Sequence, residues 1–169
     1  ILGDQLNSQH TWFANKNDEV LYVLMEMRQE TDYTVHHIQK VVGFFAAMRA
    51  FAQNLTEQGH QVLYLQLDDK RNQQTLAGNL KWIIKEHNCK RFEYQLPDEY
   101  RLDEQLKGLE DTLGIEVESA DTEHFLTTRT ELAEFFKGRT DGAVVLGGLG
   151  TVGQHLQAAA KVLDGRQVL

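Results

Sequence analysis

The chain has 169 residues, 41% of them hydrophobic and 25% charged, with a net charge of −8. That length supports one domain with a real core, while the acidic balance is the opposite of the basic face a free-standing nucleic-acid binder carries. No apolar run approaches the roughly 20 residues that span a bilayer, and a single cysteine, Cys89, excludes a disulfide framework or a multi-cysteine metal or iron–sulfur site within the chain.

Residues 1–6, Ile-Leu-Gly-Asp-Gln-Leu, run an apolar pair straight into Gly3, Asp4 and Gln5. This predicts the end of a buried parallel strand opening into a loop, where open α/β sheets place their ligands. The abrupt apolar start leads us to expect a strand that has lost its first residues and hence an excised domain. Val20–Met25 (VLYVLM) is a near-continuous apolar run, as in a strand buried on both faces. Residues 33–58 predict a long helix, with Val35, Ile38, Val42, Phe45, Met48, Ala52 and Leu55 forming one stripe and Gly59 as its stop. Thr31 or Asp32 is the expected N-cap.

Val62–Leu65 is the next strand, with Asp68 and Asp69 at its carboxyl end. A helix is predicted over 75–86, a strand over 92–94, a helix over 102–113 and a strand over 115–117. A further helix lies within 122–136, starting near Thr127–Thr130. The β-α alternation predicts a doubly wound α/β domain with about five or six parallel strands and right-handed crossovers. The domain is expected over residues 1–139, followed by a glycine-rich tail over 140–169 with a strand at 143–146 and a helix at 151–163.

That tail contains Gly148-Leu149-Gly150-Thr151-Val152-Gly153, a G-x-G-x-x-G that can seat a pyrophosphate at a helix N-terminus. The second strand ending in an acid, which a dinucleotide site needs, does not follow before Leu169. A free-standing nucleotide-binding domain is therefore the alternative reading. Residues 25–37, MEMRQETDYTVHH, crowd Glu26, Arg28, Glu30 and Asp32 at the end of the second strand. Helix capping explains some of these acids but not Arg28, Glu30 and Tyr33 together. This loop shares a sheet edge with Asp4 and Gln5, so the two can converge on one pocket. A glutamate acceptor beside a stacking tyrosine suits a polar heteroaromatic ligand.

The bland readings elsewhere prevail. His36 and His37 are adjacent, about 100° apart on a helix, where a shared metal needs i, i+4 spacing. Hence no metal site is expected, with one ring packed and one exposed. His124 reads as structural or surface. Ser8 and Ser119 are the only serines, so a serine triad is not expected. Cys89, between a helix and a strand, reads as a buried inert thiol.

The ordered set ILGDQLN, MEMRQETDYTVHH, FFAAMRAFA, GHQVLYLQLDD, PDEYRL and DTEHFLTTRTELAEFFKGR resembles the N-terminal part of the deoxyribodipyrimidine photolyase-related proteins, over residues 1–139. These form the bacterial (6-4) photolyase and cryptochrome branch. The resemblance implies a Rossmann-like or flavodoxin-like three-layer domain that holds a ribityllumazine antenna. It implies a separate helical domain carrying FAD, an iron–sulfur cluster and most of the DNA groove, so that DNA is met only through that domain and the present chain alone is not catalytic. The single cysteine fits a reducing cytoplasm, and the lack of a spanning apolar run leads us to expect no membrane partner. By motif match the antenna-site residues are Gly3, Asp4, Gln5, Glu30 and Tyr33, with Phe44 on the helix facing the dye. After Gly138-Arg139 the family's aromatic and basic segment is replaced here by TDGAVVLGGLGTVGQHLQ.

Overall fold

A computed structural model describes residues 1–137. They fall into two units, Ile1–Thr122 and a second that begins at Glu123. The tail glycine motif, the strand expected at 143–146, the helix expected at 151–163 and the division at 139 all lie outside the described residues.

In the first unit a single 3-10 turn at Thr11–Phe13 precedes β1 (Leu21–Met25), α1 (Arg28–Asp32), α2 (Ile38–Glu57), β2 (Gln61–Leu65), α3 (Leu76–His87), β3 (Arg91–Gln95), α4 (Tyr100–Glu110) and β4 (Glu116–Ala120). Strands β1 and β2 pair in parallel, Leu21 opposite Gln61 through Met25 opposite Leu65. Strands β3 and β4 pair in parallel from Arg91–Glu116 to Gln95–Ala120. Each pair is joined through helices, as parallel pairing demands.

The sequence expectation of one sheet with five or six strands is thus met only in kind. The described residues hold parallel strands in two two-stranded sheets, β1-β2 and β3-β4. Ile1 and Leu2 make no ladder because the backbone turns at once: the Gln5 N–H donates to the Leu2 carbonyl at 3.1 Å. Ile1 keeps one link to β1, its amine donating to the Val23 carbonyl at 3.0 Å.

Two apolar clusters hold this unit. Leu24, Phe45, Met48, Phe51 and Leu55 centre the first, between α2 and the β1-β2 sheet, and Ile1 packs against it. Met27, Leu76, Leu80, Tyr94, Leu102 and Leu106 centre the second, around α3, α4 and β3, with Leu2 against it. The first two residues therefore touch both cores.

Helix α2 starts five residues later than its apolar periodicity suggests. The His37 ring accepts from the Gln39 N–H and caps it, not Thr31 or Asp32. Thr31 instead turns its hydroxyl to the Arg28 carbonyl and the Asp32 carboxylate. The stripe is buried only in its second half. Phe45, Met48, Ala52 and Leu55 are in the core, while Val35, Ile38 and Val42 are exposed. Gly59 ends the helix at φ +90°, a left-handed conformation that glycine adopts without strain. Helix α3 follows its pattern closely, capped by the Thr75 hydroxyl and closed by Asn88 in the left-handed region.

In the second unit α5 spans Arg129–Phe136. Thr128 and Glu131 form a reciprocal capping box, which is why the helix begins where the Thr-Thr-Arg-Thr-Glu run predicts.

Candidate functional site

Gly3, Asp4, Gln5, Glu30, Tyr33 and Phe44 all line one cavity of about 1260 Å³ in the first unit. It runs along β1 and β3, from the residues that precede them, Asn17–Val20 and His87–Lys90, to the loops at their carboxyl ends. Three chain segments bring the six together: the turn at Gly3–Asp4, the β1–α2 connection that carries α1, and the second turn of α2. A fourth wall comes from the β3–α4 loop through Glu99.

The Gly3 turn is a tight fit. A Cβ at Gly3 would overlap the Phe44 ring and reach within 2.8 Å of the Met48 sulfur, so any side chain here requires those two side chains to shift. Gln5 is buried and its amide is fully used: its oxygen accepts from the Leu2 N–H at 3.0 Å, and its nitrogen donates to the Gln95 and Leu96 carbonyls at 3.1 and 3.2 Å. Gln5 therefore holds the turn against the end of β3. Asp4 is exposed at the rim. Partial desolvation pushes its carboxyl above the ordinary range, opposed by a backbone hydrogen bond of its own and reinforced by the Asp98, Glu99 and Glu30 carboxylates.

Glu30, in α1, is half-buried. Arg101 grips it, with Nη2 donating to Oε2 at 2.9 Å and Nη1 to Oε1 at 3.4 Å. The same guanidinium donates to Glu99, Nε to Oε1 at 2.8 Å, and lies 4.6 Å from the centroid of the Tyr33 ring. Tyr33 is 55% exposed, with His36 packed T-shaped against it at 5.3 Å. Gln29 Nε2 also donates to Glu30 Oε1 at 3.2 Å, so the site offers a carboxylate with a lone pair left on Oε2, a flat ring and an apolar wall at Phe44.

Two neighbours differ from their sequence expectation. Glu26 belongs to the same charged run yet is wholly buried beneath it. Its carboxylate takes Arg49 Nε at 2.6 Å and Nη2 at 2.9 Å, the Tyr64 hydroxyl at 2.7 Å and the Leu67 N–H at 2.9 Å. Burial acts to raise this carboxyl, and the hydrogen bonds, led by Arg49, outweigh it, so its pKa is lowered. Glu26 is a structural tie between β1, α2 and the β2–α3 loop. Arg28 is exposed and spends its backbone N–H on Gln74.

Sequence reasoning missed Glu99, Arg101 and Gln95. The signal for the first two was PDEYRL at the end of a strand, a third loop on the same rim. Gln95 is buried with neither amide atom partnered among the described residues, and it lines the cavity. His36 is half-buried and His37 exposed; no cluster of three metal-ligating side chains occurs among the described residues. Cys89 is half-buried rather than buried, its thiol 4.0 Å from the Ile83 carbonyl, because it lines the cavity and is not packed in either core cluster. No helix among the described residues is long and apolar enough to cross a membrane.

Comparison with known proteins sets this geometry in a family. The chain is 31% identical over 141 residues to a (6-4) photolyase of Agrobacterium fabrum (strain C58 / ATCC 33970), an alignment that covers 82% of this chain and 28% of that protein. The chain thus spans little more than a quarter of the relative it matches. Residues 1–143 match the family described as deoxyribodipyrimidine photo-lyase-related protein. That match takes in every loop around the cavity, and on its extent the chain belongs to the deoxyribodipyrimidine photo-lyase-related family.

Proposed function

We propose that this chain is the antenna-chromophore-binding domain of a photolyase-like protein that repairs DNA with light, and that its dye is a ribityllumazine. The observation that carries this reading is the gathering of Gly3, Asp4, Gln5, Glu30, Tyr33 and Phe44 around one cavity in a member of this family. The donor set fits such a group. Gly3 lets a flat ring approach the backbone, Tyr33 offers a stacking face, Phe44 an apolar wall, and Glu30 accepts from ring or ribityl donors. Gln5 acts by holding the turn, and the unpartnered Gln95 amide adds a donor and an acceptor in the wall. When bound, the dye supplies absorption of light and its transfer to a flavin. The chain's residues orient the dye and exclude water from it.

The FAD, the iron–sulfur cluster and most of the DNA-binding groove belong, in this proposal, to a helical domain, and the cytoplasm is the compartment. The exposed Tyr33, Val35, Ile38 and Val42 form an apolar surface beside the pocket that suits docking of that domain. The finer architecture is proposed as well: β2-β1 and β3-β4 belong to one Rossmann-like, flavodoxin-like sheet. Their inner strands flank Ile1–Leu2, which bonds to Val23 on one side and, through Gln5, to Gln95 on the other.

The test is titration of the purified chain with ribityllumazine, read by dye fluorescence, beside FAD and NADH. Saturable lumazine binding that is lost in Glu30→Ala, with the circular dichroism spectrum kept, supports the proposal. NADH binding abolished by Gly150→Ala, with no lumazine binding, overturns it in favour of a dinucleotide domain.

A further inference from the structure

We propose that Arg101 is a positioning residue of this pocket, setting Glu30 and Tyr33 together in the arrangement that receives a flat heteroaromatic ligand; this rests on the antenna reading above. Arg101 is the second residue of α4, two positions after Glu99, which lines the cavity. Its fork reaches back across the loops to hold both oxygens of Glu30, while Glu99 holds its Nε. A rigid planar guanidinium can grip a carboxylate and lie over an aromatic ring at once; a lysine ammonium, a point charge on a flexible stem, does one or the other. Oε1 of Glu30 accepts from both Arg101 and Gln29 Nε2, the latter at 3.2 Å, while Oε2 accepts from Arg101 and keeps a second lone pair, so the carboxylate is aimed without being consumed. The ring of Tyr33 is 55% exposed, with His36 as its other ring neighbour at 5.3 Å. Among the described residues at the rim the carboxylates of Asp4, Glu30, Asp98 and Glu99 crowd together. The cations lining the cavity are engaged elsewhere: Lys40 is turned to His36, Lys90 to Asn88 and Arg91 to Glu118. Without Arg101, Glu30 would lie among like charges and Tyr33 would lose its backing.

The experiment uses the full 169-residue chain and ribityllumazine, comparing the wild type with Arg101→Gln, Arg101→Lys, Glu30→Ala and Tyr33→Leu. Dissociation constant, fluorescence lifetime of the bound dye and melting temperature are measured for each. We expect both Arg101 variants to bind about tenfold more weakly. We also expect the dye lifetime in both to move toward the Tyr33→Leu value. Their melting temperatures should stay within about 2 °C of wild type, because the pair is partly exposed. Wild-type affinity and lifetime in Arg101→Gln, while Glu30→Ala abolishes binding, would remove Arg101 and leave the antenna reading in place. Full recovery by Arg101→Lys would reduce the role to charge alone and overturn the proposal. A wild-type chain that binds no lumazine would take both readings down.

Discussion

The Gln5 side chain donates to the Gln95 carbonyl at 3.1 Å, a buried contact between residues 90 positions apart. It fastens the first turn of the chain to the end of β3, and the same amide accepts from Leu2. Gln5→Leu keeps the volume but strands the Leu2 N–H and the Gln95 and Leu96 carbonyls. A loss of about 2–4 kcal/mol in unfolding free energy is expected. Urea denaturation measures it; an unchanged midpoint would show that the turn does not depend on this tie.

The Glu26–Arg49 pair makes the second prediction. Glu26→Gln removes an ionised acceptor with four donors aimed at it, and stability should fall by about 2–4 kcal/mol. The pH dependence has a defined sign. Because the folded carboxyl sits below its ordinary 4.5, its contribution is complete above that value and is lost as pH falls through the lowered folded value. The gap between wild type and variant should therefore narrow in thermal melts run at acid pH.

Gly3 and Phe44 make a steric prediction. Gly3→Val drives side-chain atoms into the Phe44 ring and the Met48 sulfur, at an expected cost of about 1–3 kcal/mol. Phe44→Leu in the same chain should recover part of this stability, since the two residues share one space. Additive losses in the double mutant, measured by denaturation, would show that the overlap is not the cause. Dye affinity should fall in both single variants.

Asp4 behaves oppositely to Glu26 as pH changes. Its folded pKa is raised, so the folded chain holds the proton more tightly than the unfolded one. The ionised form then works against folding once pH climbs from about 3.8 through the raised value. Asp4→Asn should raise the melting temperature near pH 7 and have no effect below 3.8. A variant that melts earlier than wild type at pH 7 would contradict this.

Hydrophobic periodicity determined the β-α alternation, the parallel sense of pairing and the placement of α3 and α4, because both helices bury a stripe against a neighbour, while the start of α5 follows from its Thr128–Glu131 capping box. It also located the Gly3 turn and the Glu30 loop, since charge and glycine after an apolar run mark a strand's carboxyl end. Periodicity could not place the start of α2. Val35, Ile38 and Val42 look like core but lie exposed, and a histidine cap five residues on decides the boundary. Nor could it separate Glu26 from Glu30. Both are acids in one loop, and only the approach of Arg49 and Tyr64 to one, and of Arg101 to the other, makes the first a buried tie and the second a candidate ligand contact. The grouping of strands into β1-β2 and β3-β4, and the Gln5–Gln95 contact, depend on which edges meet in space. Local sequence does not encode such contacts, because their partners come from loops tens of residues apart.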